Sequence, residues 1–131
     1  MVKTLLLSHG QLAFGMHDAL SMIAGNKALD YLGLTKDMSV ASFEQKLRDK
    51  LTEMKTAEQI IIAVDLKGGS PYTSAVSILE EMDLLHKSYL ISGLNLGLAL
   101  QLALSRGVLP KEELEKIVTR SQESIEIYKS S

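Results

Sequence analysis

Residues 59–71, QIIIAVDLKGGSP, contain the strongest indication of the fold of this chain. Its first half is an unbroken apolar run rich in β-branched residues, which is typical of a strand buried on both faces. Its second half contains two glycines followed by Ser-Pro, which is typical of a tight loop that leads into the first turn of a helix. We therefore predict a buried strand over residues 59–65 and a helix that begins at Ser70. This order of elements is the building unit of parallel α/β folds.

The same alternation of strand and helix continues on both sides of this stretch. Short apolar runs predict the other strands, and apolar residues at helical spacing predict the other helices. The predicted elements are a strand at 3–8, a helix at 13–24 that ends at Gly25-Asn26, a weak strand at 29–32, a helix that begins at a capping box over Ser42–Gln45, the strand at 59–65, a helix at 70–82, a strand at 88–93, and helices at 95–104 and 110–121, the last with Pro110 as its first helical residue. This order predicts an α/β fold with three layers, αβα, around a mainly parallel sheet.

The composition limits the classes of protein to which the chain can belong. The 131 residues carry a formal net charge of −2 and no basic cluster, which argues against a nucleic-acid partner. There is no cysteine, so disulfides, thiol nucleophiles and thiolate metal sites are excluded. No apolar run has the length of a membrane span and no signal peptide is evident. We therefore expect one cytoplasmic domain over residues 1–131.

The C-terminal part of the chain allows more than one interpretation. Residues 124–128 alternate polar and apolar side chains, which fits either a continued helix or a short edge strand, and we predict the strand. The leucine-rich helix at 95–104 has few polar positions. It is expected either to be fully buried or to form a subunit interface, and the second alternative fits a homodimer.

Two chemically unusual residues end neighbouring strands of the predicted sheet. His9 follows the first strand and Asp65 ends the central one, and the carboxyl ends of parallel strands meet at one edge of the sheet. A neutral imidazole has one nitrogen free to attack a phosphoryl group, and a carboxylate on the other nitrogen would fix the tautomer and stabilise the positive ring. We predict that His9 is the nucleophile, through Nε2, and that Asp65 orients it through Nδ1.

The loop after the central strand has the features of a phosphate cradle. Gly68 and Gly69 let the backbone approach an oxyanion closely, while Ser70 is predicted as the cap of a helix whose first helical residue is Pro71. The free N–H groups of this helix and the Ser70 hydroxyl would bind a phosphoryl group on His9. Each feature also has a structural interpretation, as a solvated histidine, a capping carboxylate or a tight turn. Their occurrence together at adjacent strand ends favours the functional interpretation.

The remaining histidines and the lysine of the glycine loop indicate no second site. His17, beside Asp18, and His86 are both interpreted as solvated. The three histidines lack the spacing of a zinc site, so no metal is expected. The order of Lys67 and the glycines differs from that of a nucleotide-binding loop, so no nucleotide or other cofactor is expected.

Three motifs together resemble the IIA domains of the mannose-type sugar phosphotransferase system (PTS). They are Leu7-Ser8-His9-Gly10 with the residues that follow it to Gly25, Val64-Asp65 with Gly68-Gly69-Ser70-Pro71-Tyr72, and Ser92-Gly93-Leu94-Asn95-Leu96. The resemblance extends over nearly the whole chain. It implies that His9 receives a phosphoryl group from the phosphohistidine carrier protein HPr and passes it to the IIB component, which serves the membrane components IIC and IID.

The resemblance also implies roles for other residues and for the tail. Asp65 is expected to hydrogen-bond the active histidine, and Ser70 is expected near the phosphoryl group, in a phosphate-binding segment that comprises Gly68, Gly69, Ser70 and Tyr72. The family fold adds an antiparallel C-terminal strand that is exchanged across a homodimer, and in this chain the tail would form that strand.

Two residues depart from the family pattern, and two other functions stay open. Gln11 follows the His-Gly pair, and Lys67 stands where the family often has an apolar or aromatic residue, so contacts with partners near the site are expected to differ. Lys67 either supplies positive charge or is a solvated loop residue. The related phosphoryl donor subunit of dihydroxyacetone kinase shares the fold and the histidine, although the run from Gly69 to Tyr72 favours the sugar branch. A non-catalytic module that senses phosphate or a partner is the other alternative.

Overall fold

The computed structural model describes residues 1–25 and 29–129. Its main elements in chain order are β1 (Val2–His9), α1 (Leu12–Ala24), β2 (Leu29–Leu34), α2 (Val40–Met54), β3 (Gln59–Val64), α3 (Ser70–Glu81), β4 (Ser88–Ser92), α4 (Leu96–Leu104) and α5 (Lys111–Glu123), with a short 3₁₀ turn at Leu85–Lys87. Each of these nine strands and helices lies where the sequence predicts an element of the same type.

The four strands form a parallel sheet in the order β2-β1-β3-β4. The two inner strands are β1 and β3, and Leu7 of β1 pairs with Leu32 on one side and Val64 on the other. From β1 the chain continues to β2 at one edge of the sheet, and from β3 it continues to β4 at the opposite edge. The carboxyl ends of β1 and β3 therefore flank the point at which ligand sites form in open α/β sheets.

Helices cover both faces of the sheet, as predicted. Leu5 and Leu7 of β1 face a cluster with α2 and α3, whereas Leu6 faces a second cluster with α1, α4 and α5. The predicted apolar face of α2 lies in the first cluster, where Phe43 and Leu47 are fully buried. This is the three-layer αβα architecture, because successive side chains of a strand point to opposite faces.

Several helix starts differ from the prediction. Helix α2 begins at Val40, because the hydroxyl of Ser39 rather than Ser42 serves as the cap and accepts the Ser42 N–H at 3.0 Å. Gly69 is the cap of α3, so Ser70 is its first helical residue and Pro71 its second. A backbone N–H has no partner within the helix at either the first or the second helical position. Proline therefore fits both positions, and the sequence does not distinguish between them. Pro110 is likewise the cap of α5 and not its first helical residue.

Residues 125–129 form neither helix nor strand. Helix α5 ends at Glu123, and the apolar side chains of Ile125, Ile127 and Tyr128 are 75%, 92% and 92% exposed. The strand predicted over residues 124–128 is thus not formed in the single chain, and its exchange in a dimer stays a prediction. At the end of α1, Gly25 has a φ of +73°, while Asn26 lies outside the described residues.

Candidate functional site

The structure brings His9 and Asp65 into direct contact. His9 is the last residue of β1, and the Asp65 N–H donates to the carbonyl of Leu7 at 3.1 Å, which continues the pairing of β1 with β3. The Oδ2 atom of Asp65 accepts two hydrogen bonds from His9, one from the backbone N–H at 2.8 Å and one involving Nδ1 at 2.9 Å. The parallel register therefore sets both the backbone and the ring of His9 relative to one carboxylate oxygen.

The charge state of Asp65 determines which ring nitrogen of His9 is free. Burial acts to raise the pKa of Asp65, but the hydrogen bonds from the His9 N–H, the His9 ring and the Leu66 N–H outweigh it and hold this pKa below its ordinary value. Asp65 is thus ionised at neutral pH, and an ionised carboxylate can only accept hydrogen bonds. Nδ1 therefore donates a hydrogen bond to Asp65, which leaves Nε2 as the ring nitrogen that is not bonded to the carboxylate. The His9 side chain is 45% exposed and that of Asp65 only 9%.

The N-terminus of α3 lies against the Nε2 edge of the His9 ring. A Cβ atom placed on Gly69 would lie 2.8 Å from Cε1 and 3.3 Å from Nε2 of His9, which is closer than ordinary contact allows. Gly69 caps α3 without a side-chain hydrogen bond, and the first backbone bond of the helix runs from the Thr73 N–H to the Gly69 carbonyl at 3.0 Å. The N–H groups of Ser70 and Tyr72 precede that bond and have no partner within the helix. They form a set of donors suited to an anion beside the ring.

The other residues predicted for the phosphate cradle have different surroundings. Gly68 has a φ of +82°, a left-handed conformation that favours glycine. Ser70 and Lys67 are exposed. The side chain of Tyr72 is half-buried and packs against the cluster between the sheet and α2 and α3, so its ring belongs to the core. The backbone N–H of Tyr72 lies in the first turn of α3, and the phosphate-binding role of this residue stays a prediction.

Sequence reasoning missed the contacts that hold the turn after β1. Gly10 has a φ of +57°, and its N–H donates to the Leu34 carbonyl at 2.8 Å. The buried Oγ of Ser8 accepts the N–H of Ala13 at 2.7 Å. A capping pattern would not find this bond, because a cap normally serves an N–H two or three residues away and this bond spans five.

Neither of the other histidines joins the site described above. The ring of His17 packs on that of Tyr31, with centroids 4.8 Å apart and planes at 43°, so the interpretation of His17 as simply solvated is wrong. The reason is that α1 packs against β2, which brings Tyr31 to this face of the helix. His86 is exposed in the 3₁₀ turn, as interpreted. Within residues 1–25 and 29–129 there is no group of three or more His, Asp or Glu side chains that could hold a metal ion.

A histidine that is held by a carboxylate at the switch point of a parallel sheet, beside the N-terminus of a helix, has the geometry of an anion-binding site in an α/β domain. The model of one protein family, described as the PTS system fructose IIA component, matches residues 3–125. The chain therefore belongs to this mannose-type family of PTS EIIA components. The resemblance noted in the sequence is thereby confirmed, and the protein is a phosphocarrier component of the sugar PTS and, in this general sense, a phosphotransferase.

Relatives and solved structures agree with this assignment. The chain is 32% identical over 114 residues to the sorbose-specific EIIA component of Klebsiella pneumoniae, and the alignment covers 87% of this chain and 82% of that protein. It is 23% identical over 129 residues to the fructose-specific EIIA component of Bacillus subtilis, covering 97% and 86% of the two chains. In this family, EIIA components work with other PTS proteins.

Two solved structures have the same fold. The PTS IIA protein associated with the fucose utilization operon of Streptococcus pneumoniae superposes with a TM-score of 0.83 at 27% identity, covering 96% and 92% of the two chains. The mannose/sorbose specific IIA subunit from Enterococcus faecalis gives a TM-score of 0.86 at 24% identity, covering 98% and 96%.

Among the described residues, no helix is long and apolar enough to cross a membrane.

Proposed function

We propose that the single domain of residues 1–131 carries its phosphoryl group on Nε2 of His9, receives it from HPr and passes it to the IIB component in the cytoplasm. The observation that supports this most directly is the hydrogen bond between Nδ1 of His9 and Oδ2 of Asp65 at 2.9 Å. It orients the ring so that Nε2 is directed away from the carboxylate, on a side chain that is nearly half exposed. A partner protein can therefore reach the His9 side chain at the surface of the domain.

In the proposed transfer, the lone pair of Nε2 attacks the phosphorus atom of the donor's phosphohistidine. A new N–P bond forms as the N–P bond of the donor breaks, and the electron pair of that bond returns to the donor imidazole. The His9 ring gains positive charge in this step, which the ionised Asp65 stabilises through Nδ1–H. The reverse sequence delivers the phosphoryl group to IIB.

The N-terminus of α3 is proposed to bind the phosphoryl oxygens. Its donors are the N–H groups of Ser70 and Tyr72, with the Ser70 hydroxyl as a third and the backbone of Gly68 and Gly69 allowing close approach. Hydrogen bonds to a charged group contribute about 1.5–3 kcal/mol each. The helix dipole favours the same anion. These residues need no cofactor for this role.

We also propose that two copies form a homodimer by exchanging their C-terminal segments as antiparallel strands. Strand β4 pairs only with β3 in the described sheet, so its other edge is free. A shallow, mainly apolar groove of about 310 Å³ lies between β4 and α5, lined by Tyr89, Leu90, Ile91, Lys111, Leu114, Glu115, Val118 and Thr119. The alternating, exposed apolar side chains of Ile125 and Ile127 have the chemistry to cover it.

Helix α4 is consistent with the same dimer. It buries Leu98, Ala99 and Leu102 but leaves Leu104 56% exposed, so the helix is not fully buried in the single chain, and the subunit interface stays a prediction. The relatives found are sugar-specific components, which supports the sugar branch over the phosphoryl donor subunit of dihydroxyacetone kinase.

The test is intact-mass measurement after incubation with phosphoenolpyruvate, enzyme I and HPr. Wild type is expected to gain one acid-labile phosphoryl group, and His9→Ala none. His86→Ala is the matched control, because His86 is exposed on the 3₁₀ turn and is expected to be labelled like wild type. Labelling of His9→Ala would refute the assignment of His9, and ³¹P NMR that shows the Nδ1 isomer would refute the assignment of Nε2.

A further inference from the structure

The turn that carries His9 is held by a hydrogen bond on each side of that residue. The His9 N–H donates to Asp65, and the N–H of Gly10 donates to the carbonyl of Leu34 at 2.8 Å. These two bonds fix the peptide units before and after the Cα atom of His9. They therefore set the direction in which its side chain leaves the backbone.

The side chain of Ser8 provides a third anchor. Ser8 and Ala13 are both fully buried, and Oγ of Ser8 accepts the Ala13 N–H at 2.7 Å. Gln11 occupies the cap position of α1 but makes no side-chain capping bond. Ser8 therefore satisfies an N–H at the start of α1 that the local cap leaves without a partner, and it does so from the end of β1.

This bond closes a loop that contains His9. The end of β1 and the start of α1 are linked through the Ser8 hydroxyl, and the catalytic residue lies between them. Without the hydroxyl, a buried N–H loses its partner, so the turn has to move or admit water. A Cβ atom on Gly33 would overlap the Gly10 carbonyl oxygen, so the turn already packs against the backbone of β2. It can relax only away from β2.

We propose that Ser8 is a positioning residue for phosphoryl transfer, whose hydroxyl sets the place of the His9 ring relative to Asp65 and the N-terminus of α3. The proposal rests on the function proposed above for His9. Ser8 is buried beneath the turn and does not act on the phosphoryl group itself. A displacement of a reacting group by about 1 Å can lower a rate about 100-fold, and a partial displacement here is expected to lower the transfer rate about tenfold.

The test compares three variants with wild type. Ser8→Ala removes the hydroxyl, and Ser8→Thr keeps it. Ser121→Ala is the matched control, because Ser121 is also buried and bonded, with its hydroxyl donating to the Ile117 carbonyl at 2.9 Å, but it lies on α5. Transfer from phosphorylated HPr is measured over a range of HPr concentrations to separate kcat from KM. ¹⁵N NMR of the His9 ring reports its tautomer, and thermal unfolding reports stability.

If Ser8 positions His9, Ser8→Ala lowers kcat about tenfold with little change in KM and shifts the ring signals away from the Nδ1–H tautomer. Ser8→Thr restores both, and Ser121→Ala loses stability but keeps the kcat and ring signals of wild type. The proposal is overturned if Ser8→Ala keeps the wild-type kcat and ring signals, if Ser8→Thr is as slow as Ser8→Ala, or if Ser8→Ala does not fold. If wild type itself accepts no phosphoryl group, the proposed function fails, while the ring signals still decide whether Ser8 positions His9.

Discussion

Replacing Gly69 by alanine places a methyl group against the ring of His9. The new Cβ atom would lie 2.8 Å from Cε1 and 3.3 Å from Nε2. Carbon atoms in favourable contact are about 3.5–4.0 Å apart, so the ring and the start of α3 must separate by roughly 1 Å. The methyl group crowds the edge of the ring that contains Cε1 and Nε2, and Nε2 is the atom proposed to attack phosphorus. We expect the transfer rate of Gly69→Ala to fall about 10- to 100-fold.

The stability of the same variant is expected to change little. Gly69 has a φ of −74° and a ψ of 172°, an extended conformation that alanine adopts without strain. At such a position, replacing glycine stabilises by about 0.4–1 kcal/mol through the unfolded chain, which offsets part of the cost of the contact with the ring. We therefore expect the free energy of unfolding to stay within about 1 kcal/mol of wild type while the rate falls.

The assay combines single-turnover phosphoryl transfer from HPr with urea unfolding. Gly68→Ala is an informative comparison, because a Cβ atom at Gly68 has nothing within 4 Å but the φ of +82° is unfavourable for alanine. We expect that variant to lose about 1–3 kcal/mol of stability, with a smaller loss of rate than Gly69→Ala. A Gly69→Ala protein that transfers phosphate as fast as wild type would refute the reasoning, because the reacting nitrogen could not then lie at the edge of the His9 ring that faces α3.

Three further predictions follow from the core, the carboxylate and the tail. Phe43→Ala removes a fully buried ring and is expected to cost about 3–5 kcal/mol of unfolding free energy, measured in urea; a cost under about 1 kcal/mol would contradict the packing. The fold lowers the pKa of Asp65 from its ordinary value of 3.8. The ionised carboxylate therefore stabilises the fold at pH values above 3.8, and this contribution is lost as the pH falls through the lowered pKa. The stability advantage of wild type over Asp65→Asn should therefore be present at neutral pH and shrink below pH 3.8, and an advantage that grows on acidification would contradict this. Truncation after Ser124 is expected to give a monomer by light scattering, and a truncated chain that is still dimeric would argue against strand exchange.

Much of the fold could be predicted because its signals are local. The apolar run of β3 and the glycine loop after it are visible in 13 consecutive residues, and the face of α2 that contains Phe43 repeats at helical spacing. Helix starts depend on more than residue type. Ser39 and Ser42 are both acceptable caps by residue type, and only the folded chain shows which one receives the N–H.

The candidate site divides in the same way between local and long-range information. The order of elements predicts that His9 and Asp65 lie at the same edge of the sheet, since the carboxyl ends of parallel strands meet there. Other features of the site depend on distances between separate elements. They are the two hydrogen bonds that Oδ2 of Asp65 accepts, the packing of Gly69 on the His9 ring and the bond that the Ala13 N–H donates to Ser8. The contact of His17 with Tyr31 is of the same kind, because it joins α1 to β2.

The class of fold, the order of the elements and the residue types at the catalytic edge follow from the sequence, because hydrophobic periodicity and turn chemistry act over a few residues. The folded chain sets which oxygen of Asp65 holds the ring, which edge of the ring meets α3 and what anchors the turn around His9. Those features depend on strand register and helix packing, which bring together residues as far apart as His9 and Asp65 and are encoded in no local pattern.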